Sequence, residues 1–407
     1  MSFLTHLECA SCGAILSADV PRNTCACGGM LLARYDWTPI RRSVTRESLR
    51  VGPASLWRYA PFLPATHSEG AVTLGEGWTP LYRAHNLERA LGCNALFIKN
   101  EGANPTGTFK DRGASVGITR AVELGIRTVI LHSSGNAGAA WATYAARASV
   151  RCVTVLPVDA QACTLKQCAS MGAHLFVLEG PWRAAGAVVA EAARRHGWFN
   201  VNTLKEPYRL EGKKTMGYEL CEQLGWALPD VIFYPTGGGL GAIAIWKAFG
   251  ELREMGWVEG RTPRLLVTQY AGCAPIVKAF AEGKDRCEPW ETIDIIPGGL
   301  RSPDPPGGAA ILRLLRETGG AALAVEKEET IAALAEMARH EGLLACPEGA
   351  TTLAALRRAL REGLVGGHER IVLVNTGSGL KYTPVFPEPA PVRVRPGQEL
   401  RLVPEQL

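Results

Sequence analysis

The chain has 407 residues, of which 47% are hydrophobic and 20% charged, so it can bury a large core in two or three domains. Its 44 basic residues are interspersed among 39 acidic ones, and this balance indicates neither a nucleic-acid partner nor a membrane surface. The first residues lack a signal-peptide pattern and no apolar run approaches the roughly 18 residues of a membrane span, so we expect a cytoplasmic protein.

Four of the twelve cysteines form a compact pattern near the N-terminus. Two residues separate Cys9 from Cys12, one separates Cys25 from Cys27, and a glycine follows each pair. This spacing is typical of a zinc knuckle, in which four thiolates converge at about 2.3 Å from a tetrahedral metal ion. We predict a structural zinc ribbon over residues 1–35, and the alternatives are a ribbon without metal or exposed thiols. The other eight cysteines are scattered, as expected of small core residues in a reducing compartment.

From residue 36 onwards, short apolar runs alternate with longer alanine-rich segments. The predicted strands include residues 128–132, 151–157, 174–178, 231–234, 265–269 and 371–374. The predicted helices between them include residues 139–148, 183–196 and 330–341. This alternation predicts an α/β fold with buried, mostly parallel strands. The prolines from residue 384 to the end predict an irregular tail that wraps the surface or a partner subunit.

Lys110 lies in the run Thr-Gly-Thr-Phe-Lys-Asp-Arg, at the expected start of a helix. A lysine that forms a Schiff base must react as the neutral amine, and the positive end of a helix helps to lower its pKa. A lone lysine among charged neighbours is usually a solvated surface residue. Lys110 is singled out because glycine-rich and hydroxyl-rich turns elsewhere in the chain provide the rest of a cofactor site.

One such turn follows the strand at 231–234 and precedes a predicted helix. Backbone N–H groups can approach an anion closely only where side chains are absent, and a helix N-terminus adds favourable potential. The turn therefore predicts a phosphate site made by Gly237, Gly238, Gly239, Leu240 and Gly241. It matches neither common nucleotide-binding motif. The alternative is a tight turn that packs the helix on the strand.

Two further turns carry short polar side chains after apolar strands. Asn136 can donate to a ring oxygen, although Ser133, Ser134 or Asn136 could instead cap the following helix. Thr376 offers a hydroxyl to a ring nitrogen. A hydroxyl leaves that nitrogen unprotonated, which favours eliminations and replacements over transaminations. With Lys110, these turns predict a covalently held, phosphorylated cofactor.

Further motifs lie at residues 75–81, 99–101, 104–113, 208–215 and 376–381. Together with the turns above, they resemble the threonine synthase family of pyridoxal-phosphate enzymes, which have the tryptophan synthase β-subunit fold. The resemblance covers nearly the whole chain, and the run Asn-Pro-Thr-Gly-Thr-Phe-Lys-Asp-Arg is highly specific. It implies two open, twisted, mostly parallel sheets flanked by helices, which is fold type II.

The resemblance also implies residue roles. Lys110 would form the Schiff base with pyridoxal 5′-phosphate and move protons, and Asn136 would bind the 3′ oxygen. The turn at 237–241 would hold the phosphate, and Thr376 the pyridine nitrogen. Phe109 would either shape the pocket or belong to the core. A small amino acid is the implied substrate, and a homodimer the implied assembly.

We expect five segments in this arrangement. The ribbon covers residues 1–35, the large cofactor-binding domain covers 36–110 and 205–383, the small α/β domain covers 111–204, and the tail covers 384–407. The expected reaction converts O-phospho-L-homoserine and water into L-threonine and phosphate. The alternatives are a serine or threonine dehydratase, another β-elimination or replacement enzyme, and an inactive zinc-ribbon adaptor, which the intact lysine disfavours.

Two departures from the family pattern concern the substrate. Ala137, Gly138 and Ala139 stand where hydroxyl groups usually help to hold the phosphate of O-phosphohomoserine. Glu206 replaces the usual asparagine before Pro207, and its carboxylate would repel a phosphate unless it points away.

Other charged side chains are expected to have simpler roles. Arg209, Lys213 and Lys214 are expected to be solvated charges, and the alternative is that one of them binds a leaving phosphate or a substrate carboxylate. Glu348 is expected to start a helix, and the alternative is a contact with the substrate.

Overall fold

The computed structural model describes residues 2–65, 68–389, 391 and 393–397. In this part of the chain the strands are β1 (Leu4–Cys9), β2 (Ile15–Leu16), β3 (Leu31–Tyr35), β4 (Leu81–Arg83), β5 (Ala95–Asn100), β6 (Thr128–His132), β7 (Arg151–Pro157), β8 (His174–Leu178), β9 (Phe199–Asn200), β10 (Val231–Pro235), β11 (Arg264–Tyr270), β12 (Ala321–Val325) and β13 (Arg370–Asn375). The helices are α1 (Trp37–Ser43), α2 (Arg46–Arg50), α3 (His85–Leu91), α4 (Lys110–Glu123), α5 (Asn136–Arg147), α6 (Ala162–Ser170), α7 (Ala185–His196), α8 (Tyr208–Gln223), α9 (Leu240–Glu254), α10 (Pro275–Ala281), α11 (Gly308–Thr318), α12 (Lys327–Glu341) and α13 (Pro347–Arg361).

The strands form three sheets. The largest has the order β12-β11-β10-β13-β5-β4, and all its pairs are parallel except β4 with β5. A four-stranded parallel sheet has the order β8-β7-β6-β9. A small antiparallel sheet, β2-β1-β3, belongs to the N-terminal segment. The prediction of an α/β fold with mostly parallel sheets is confirmed, since β10 is buried along its whole length.

The predicted elements agree with the observed ones to within about three residues. Each of the six predicted strands is present, and β10, β11 and β13 are slightly longer than predicted. Helix α5 begins three residues earlier than predicted, at Asn136, and α12 begins at Lys327 after a capping box on Glu326. The sequence pattern misses the first turn of each of these two helices because its residues are polar or small and show no apolar periodicity.

Helix α8 lies in the interior between α4 and α9. Two glycines permit this close packing, because a Cβ on Gly212 would collide with the carbonyl of Arg112, and one on Gly217 would lie 2.7 Å from the Cβ of Ala248. The expectation that Arg209, Lys213 and Lys214 are solvated is therefore wrong, since each is no more than 2% exposed.

A buried ionic network joins α4 and α8 to the large sheet. Arg112 donates to both carboxylate oxygens of Glu101 at 2.7 Å and to both of Glu219 at 2.5 and 2.7 Å. Lys99 on β5 also donates to Glu219 at 2.7 Å. All four side chains are fully buried. The network fixes the first turn of α4, the helix that begins at Lys110.

A 3-10 helix covers Gly379–Val385, and the described residues of the predicted tail after it form neither helix nor strand. Residues 390, 392 and 398–407 of that segment lie outside the described residues. The predicted domain boundaries stay a prediction. Within the described ranges, no helix is long and apolar enough to span a membrane.

Candidate active site

A cavity of about 470 Å³ lies at the C-terminal ends of strands from the two larger sheets. Its walls include the segments that follow β6, β10 and β13, together with Lys110 at the start of α4. Parallel α/β sheets commonly bind ligands at this edge, and the volume suits a small cofactor with a substrate. The cavity brings together every residue predicted for the cofactor site.

Lys110 lines the cavity and is partly buried, with its Nζ atom 3.9 Å from the centroid of the Phe109 ring. Burial lowers the pKa of its amine to about 7, and the charge of Arg209 lowers it further, while the carboxylate of Glu348 opposes the shift. The prediction that the pKa of Lys110 is lowered is confirmed, but the main cause is burial and not the helix N-terminus. At neutral pH a large fraction of this amine is a nucleophile. Phe109 forms part of the cavity wall, with its ring 8% exposed.

The turn before Lys110 is tied to the turn that carries Thr376. The N–H of Phe109 donates to the carbonyl of Thr376 at 3.1 Å, and the N–H of Ser378 donates to the carbonyl of Gly107 at 2.8 Å. Asp111 accepts hydrogen bonds from the N–H and hydroxyl of Thr106, which closes the turn from the other side. These bonds place Lys110 and the Thr376 hydroxyl in one wall.

The glycine turn lies between β10 and α9, next to Phe109, and no side chain of the described residues caps α9. A Cβ on Gly237 would lie 2.7 Å from the carbonyl of Gly299, and one on Gly241 would lie 3.1 Å from the Phe109 ring. Gly239 has φ +86°, which favours glycine. Leu240 is the first residue of α9 and also lines the cavity. The turn thus presents the free N–H groups of a helix N-terminus to the cavity, as a phosphate site requires.

Asn136 belongs to a polar chain that connects the two larger sheets. Its Nδ2 atom donates to the hydroxyl of Tyr382 at 2.7 Å, and that hydroxyl donates to Oε1 of Glu348 at 2.6 Å. No side chain caps α5, so the N-cap interpretation of this turn is wrong. Glu348 does lie in the first turn of α13, as predicted, but it also lines the cavity. Its buried Oε2 atom has no hydrogen-bond partner among the described residues.

Arg209 and Lys213 are the cavity residues whose burial the sequence interpretation missed. Arg209 is 2% exposed, and its Nε atom has no acceptor among the described residues, while burial lowers its pKa to about 10. Glycines inside the pattern of α8 were the available signal, because a helix with glycines at Gly212 and Gly217 is suited to close packing on two sides.

Glu206 points away from the cavity. Its carboxylate accepts the N–H groups of Tyr208 and Arg209, both at 2.7 Å, and so caps the start of α8. Burial raises its pKa to about 7. Among the described residues that line the cavity, Glu206 is absent, so its carboxylate does not face an incoming phosphate.

The four N-terminal cysteines converge as the zinc prediction requires. All four sulfur atoms lie within 4.8 Å of one another, and the Cys9–Cys27, Cys12–Cys27 and Cys12–Cys25 pairs are 3.5, 3.5 and 3.7 Å apart. Four sulfurs bound tetrahedrally at about 2.3 Å would be about 3.8 Å apart, so the donor set fits a structural zinc ion.

The main cavity likewise fits a phosphorylated aldehyde. It combines an amine with a lowered pKa, a side-chain-free turn for a phosphate, and a hydroxyl and an amide for ring atoms. This combination defines the class of protein: an α/β enzyme that holds a phosphorylated cofactor through a lysine.

Comparisons with known proteins identify the family. Residues 72–377 match the family described as pyridoxal-phosphate dependent enzyme. Threonine synthase of Methanocaldococcus jannaschii is 39% identical over 92% of this chain and 92% of its own length, and that of Methanosarcina acetivorans is 37% identical over the same shares. The chain belongs to the threonine synthase family of pyridoxal-phosphate-dependent enzymes, which confirms the resemblance and the cofactor.

Solved structures support the fold. Maize serine racemase superimposes with a TM-score of 0.61 at 22% identity, covering 74% of this chain and 88% of its own. Threonine deaminase isoform 2 from Solanum lycopersicum gives 0.64 at 20% identity, covering 82% of this chain and 94% of its own. These likenesses confirm fold type II.

Proposed function

We propose that this enzyme converts O-phospho-L-homoserine and water into L-threonine and phosphate. The observation that carries the proposal is the charge of the cavity. Six lysine or arginine side chains line it against two carboxylates among the described residues, namely Lys110, Arg183, Lys205, Arg209, Lys213 and Arg301 against Asp304 and Glu348. Lys110 is reserved for the cofactor and Arg301 pairs with Asp159, so four basic side chains remain, which suits a phosphate on the substrate besides the one on the cofactor.

The chain's own residues have the following roles in the proposal. Lys110 would hold the cofactor through its side-chain amine, and the same amine would accept and return the α and β protons of the substrate. Residues 237–241 would hold the cofactor phosphate through backbone N–H groups, and the Thr376 hydroxyl would be the partner of the ring nitrogen. Asn136 binds the 3′ oxygen through its second N–H, since Tyr382 occupies the first.

When bound, pyridoxal 5′-phosphate supplies the conjugated system that makes these protons acidic. Arg209 holds the phosphate that leaves from the γ carbon, because its guanidinium is buried and its Nε donor has no acceptor among the described residues. The Lys110 amine is the base in the cavity wall. Burial lowers its pKa, so a large fraction of the amine is neutral at pH 7 and can accept a proton.

The test is an assay of the cofactor-loaded enzyme with O-phospho-L-homoserine, following inorganic phosphate and threonine together. Equal amounts of both products at about 1 s⁻¹ or faster support the proposal. Lys110→Ala should abolish turnover, whereas Lys166→Ala, an exposed residue of α6, should not. L-threonine and L-serine are tested in parallel for oxo-acid release. Rapid oxo-acid formation without phosphate release would identify a dehydratase instead, which the hydroxyl-free start of α5 would suit.

The remaining predictions belong to the same proposal. Cys9, Cys12, Cys25 and Cys27 bind a structural zinc ion, which the sulfur spacing supports. The small domain covers 111–204, and the position of the four-stranded sheet within that range supports this. The family resemblance supports a homodimer and a cytoplasmic location, and light scattering of the purified enzyme would test the former.

A further inference from the structure

Lys213 carries a buried amine without a counter-charge. It is 2% exposed and lines the cavity, and no hydrogen bond or ion pair joins it to another described residue. Its neighbour Lys214 faces the other way and pairs with Glu211 at 2.6 Å and Glu251 at 2.9 Å. The contrast within one helix shows that α8 compensates one lysine with protein carboxylates and leaves the other to the cavity.

Lys213 shares a helix face with Arg209. The two residues are four positions apart on α8, so their side chains are neighbours one turn apart, where like charges repel. Burial lowers the pKa of Lys213 well below its ordinary value, and the charges of Lys110 and Arg209 lower it further. Without an anion the neutral amine is therefore favoured, and a bound anion would favour the protonated form, because buried charges require pairing.

The position of Lys213 relates it to the reacting groups. Its Nζ atom lies 4.6 Å from the centroid of the Phe109 ring, and Lys110 Nζ lies 3.9 Å from the same centroid. A Cβ on Gly113 would lie 3.2 Å from Lys213 Cε, so a small residue on α4 makes room for the side chain. The aromatic ring and this slot hold the amine at the cavity wall that carries Lys110.

We propose that Lys213, together with Arg209, binds the phosphate of the substrate and thereby selects a phosphorylated amino acid. The inference rests on the proposed function and adds a specificity-determining residue to it. The glycine turn at 237–241 can bind one phosphate through N–H groups alone. Arg209 donates to the carbonyl of Val201 through one nitrogen, but its Nε donor has no acceptor among the described residues, so Nε and the Lys213 amine remain for a second phosphate. They also supply donors that Ala137, Gly138 and Ala139 lack on the opposite helix α5.

The experiment compares the wild-type holoenzyme with Lys213→Met, Lys213→Arg and the matched exposed control Lys166→Met. Lys213→Met should raise both the KM for O-phospho-L-homoserine and the inhibition constant of inorganic phosphate about 10- to 100-fold, the range for losing a hydrogen bond to a charged group. Lys213→Arg should restore most of the loss. The affinity for pyridoxal 5′-phosphate, titrated through its visible absorption band, should change by less than about threefold.

Two results would overturn the inference. If cofactor affinity falls while KM at saturating cofactor stays unchanged, Lys213 binds the cofactor phosphate instead. If neither quantity moves, Lys213 binds no phosphate. Should the wild type release no phosphate from O-phospho-L-homoserine, the proposed function fails; weaker binding of inorganic phosphate to Lys213→Met, seen as a smaller spectral change of the holoenzyme, would then still support the anion site.

Folding of the variant can be checked separately. Replacing a buried amine that has no hydrogen-bond partner among the described residues by an apolar side chain should raise the melting temperature of the cofactor-free protein. If Lys213→Met does not fold, Lys213→Leu removes the amine and its donors as well and provides the same comparison.

Discussion

The lowered pKa of Lys110 leads to a test in which two substitutions act in opposite directions. Arg209 lowers this pKa through its positive charge, and Glu348 raises it through its negative charge. Arg209→Met should therefore raise the pKa of Lys110, and Glu348→Gln should lower it. Both replacements are similar in size to the original side chain, so the cavity should keep its shape.

The expected size follows from the pKa of about 7. At pH 7 about half of the Lys110 amines are neutral, against about one in 3000 for a lysine with the ordinary pKa of 10.5. Loss of one nearby charge in a partly polar interior changes the interaction by about 1–2 kcal/mol, or about one pH unit. Arg209→Met should thus reduce the neutral fraction at pH 7 to about one tenth, and Glu348→Gln should increase it to about nine tenths.

The assay measures how fast the cofactor-free enzyme condenses with pyridoxal between pH 5.5 and 9.5, through the visible band of the Schiff base. Pyridoxal lacks the phosphate, so the loss of a phosphate-binding cation does not confuse the result. Lys110→Ala should give no band, and Lys166→Met should reproduce the wild-type profile. A wild-type pKa near 10, or shifts of the two variants in the same direction, would refute the electrostatic explanation.

Three further predictions concern the glycine turn, the ionic network and the ribbon. Gly241→Ala should weaken pyridoxal 5′-phosphate binding at least about tenfold, because the added Cβ would collide with the Tyr234 hydroxyl. The control is Gly250→Ala in the same helix, which has open space around it and should leave cofactor binding unchanged. Equal losses of binding in both variants would contradict the collision. Arg112→Met should lower the free energy of unfolding in urea by about 3–5 kcal/mol, since Glu101 and Glu219 lose their partner; a loss below about 1 kcal/mol would show that the carboxylates find other compensation. Metal analysis of the wild type should find about one zinc ion per chain, and Cys25→Ser should remove it. A wild-type protein that contains no zinc after folding in the presence of zinc would contradict the predicted zinc ribbon.

The interaction of α8 with its neighbours marks the limit of the sequence interpretation. Its pattern Tyr-Arg-Leu-Glu-Gly-Lys-Lys-Thr has charges on every face, which usually indicates a solvated helix. In the structure those charges are buried because their partners come from distant segments: Glu219 meets Lys99 and Arg112, and Glu211 meets Lys247. Some of these partners are more than a hundred residues apart, so no local sequence pattern indicates the pairing.

The sequence by itself determined the features that depend on local physics. Apolar runs of strand length located the β-strands, a small-residue turn located Lys110 at the start of α4, and glycines after β10 located the side-chain-free turn. Cysteine spacing was sufficient to bring four sulfurs together. In each case the outcome depends on neighbouring residues and on backbone geometry, which a short segment specifies.

Only the tertiary structure decided which charges face the cavity. Glu206 turns to cap its own helix, and Glu348 presents beside Tyr382 an oxygen with no partner among the described residues. Lys213 lies next to the ring of Phe109, without an ion pair to any described residue. The energy of a buried charge depends on whether an opposite charge or donor lies within a few ångströms. That distance is set by how α8 packs between α4 and α9, so the electrostatics of the site emerges only once the helices are assembled.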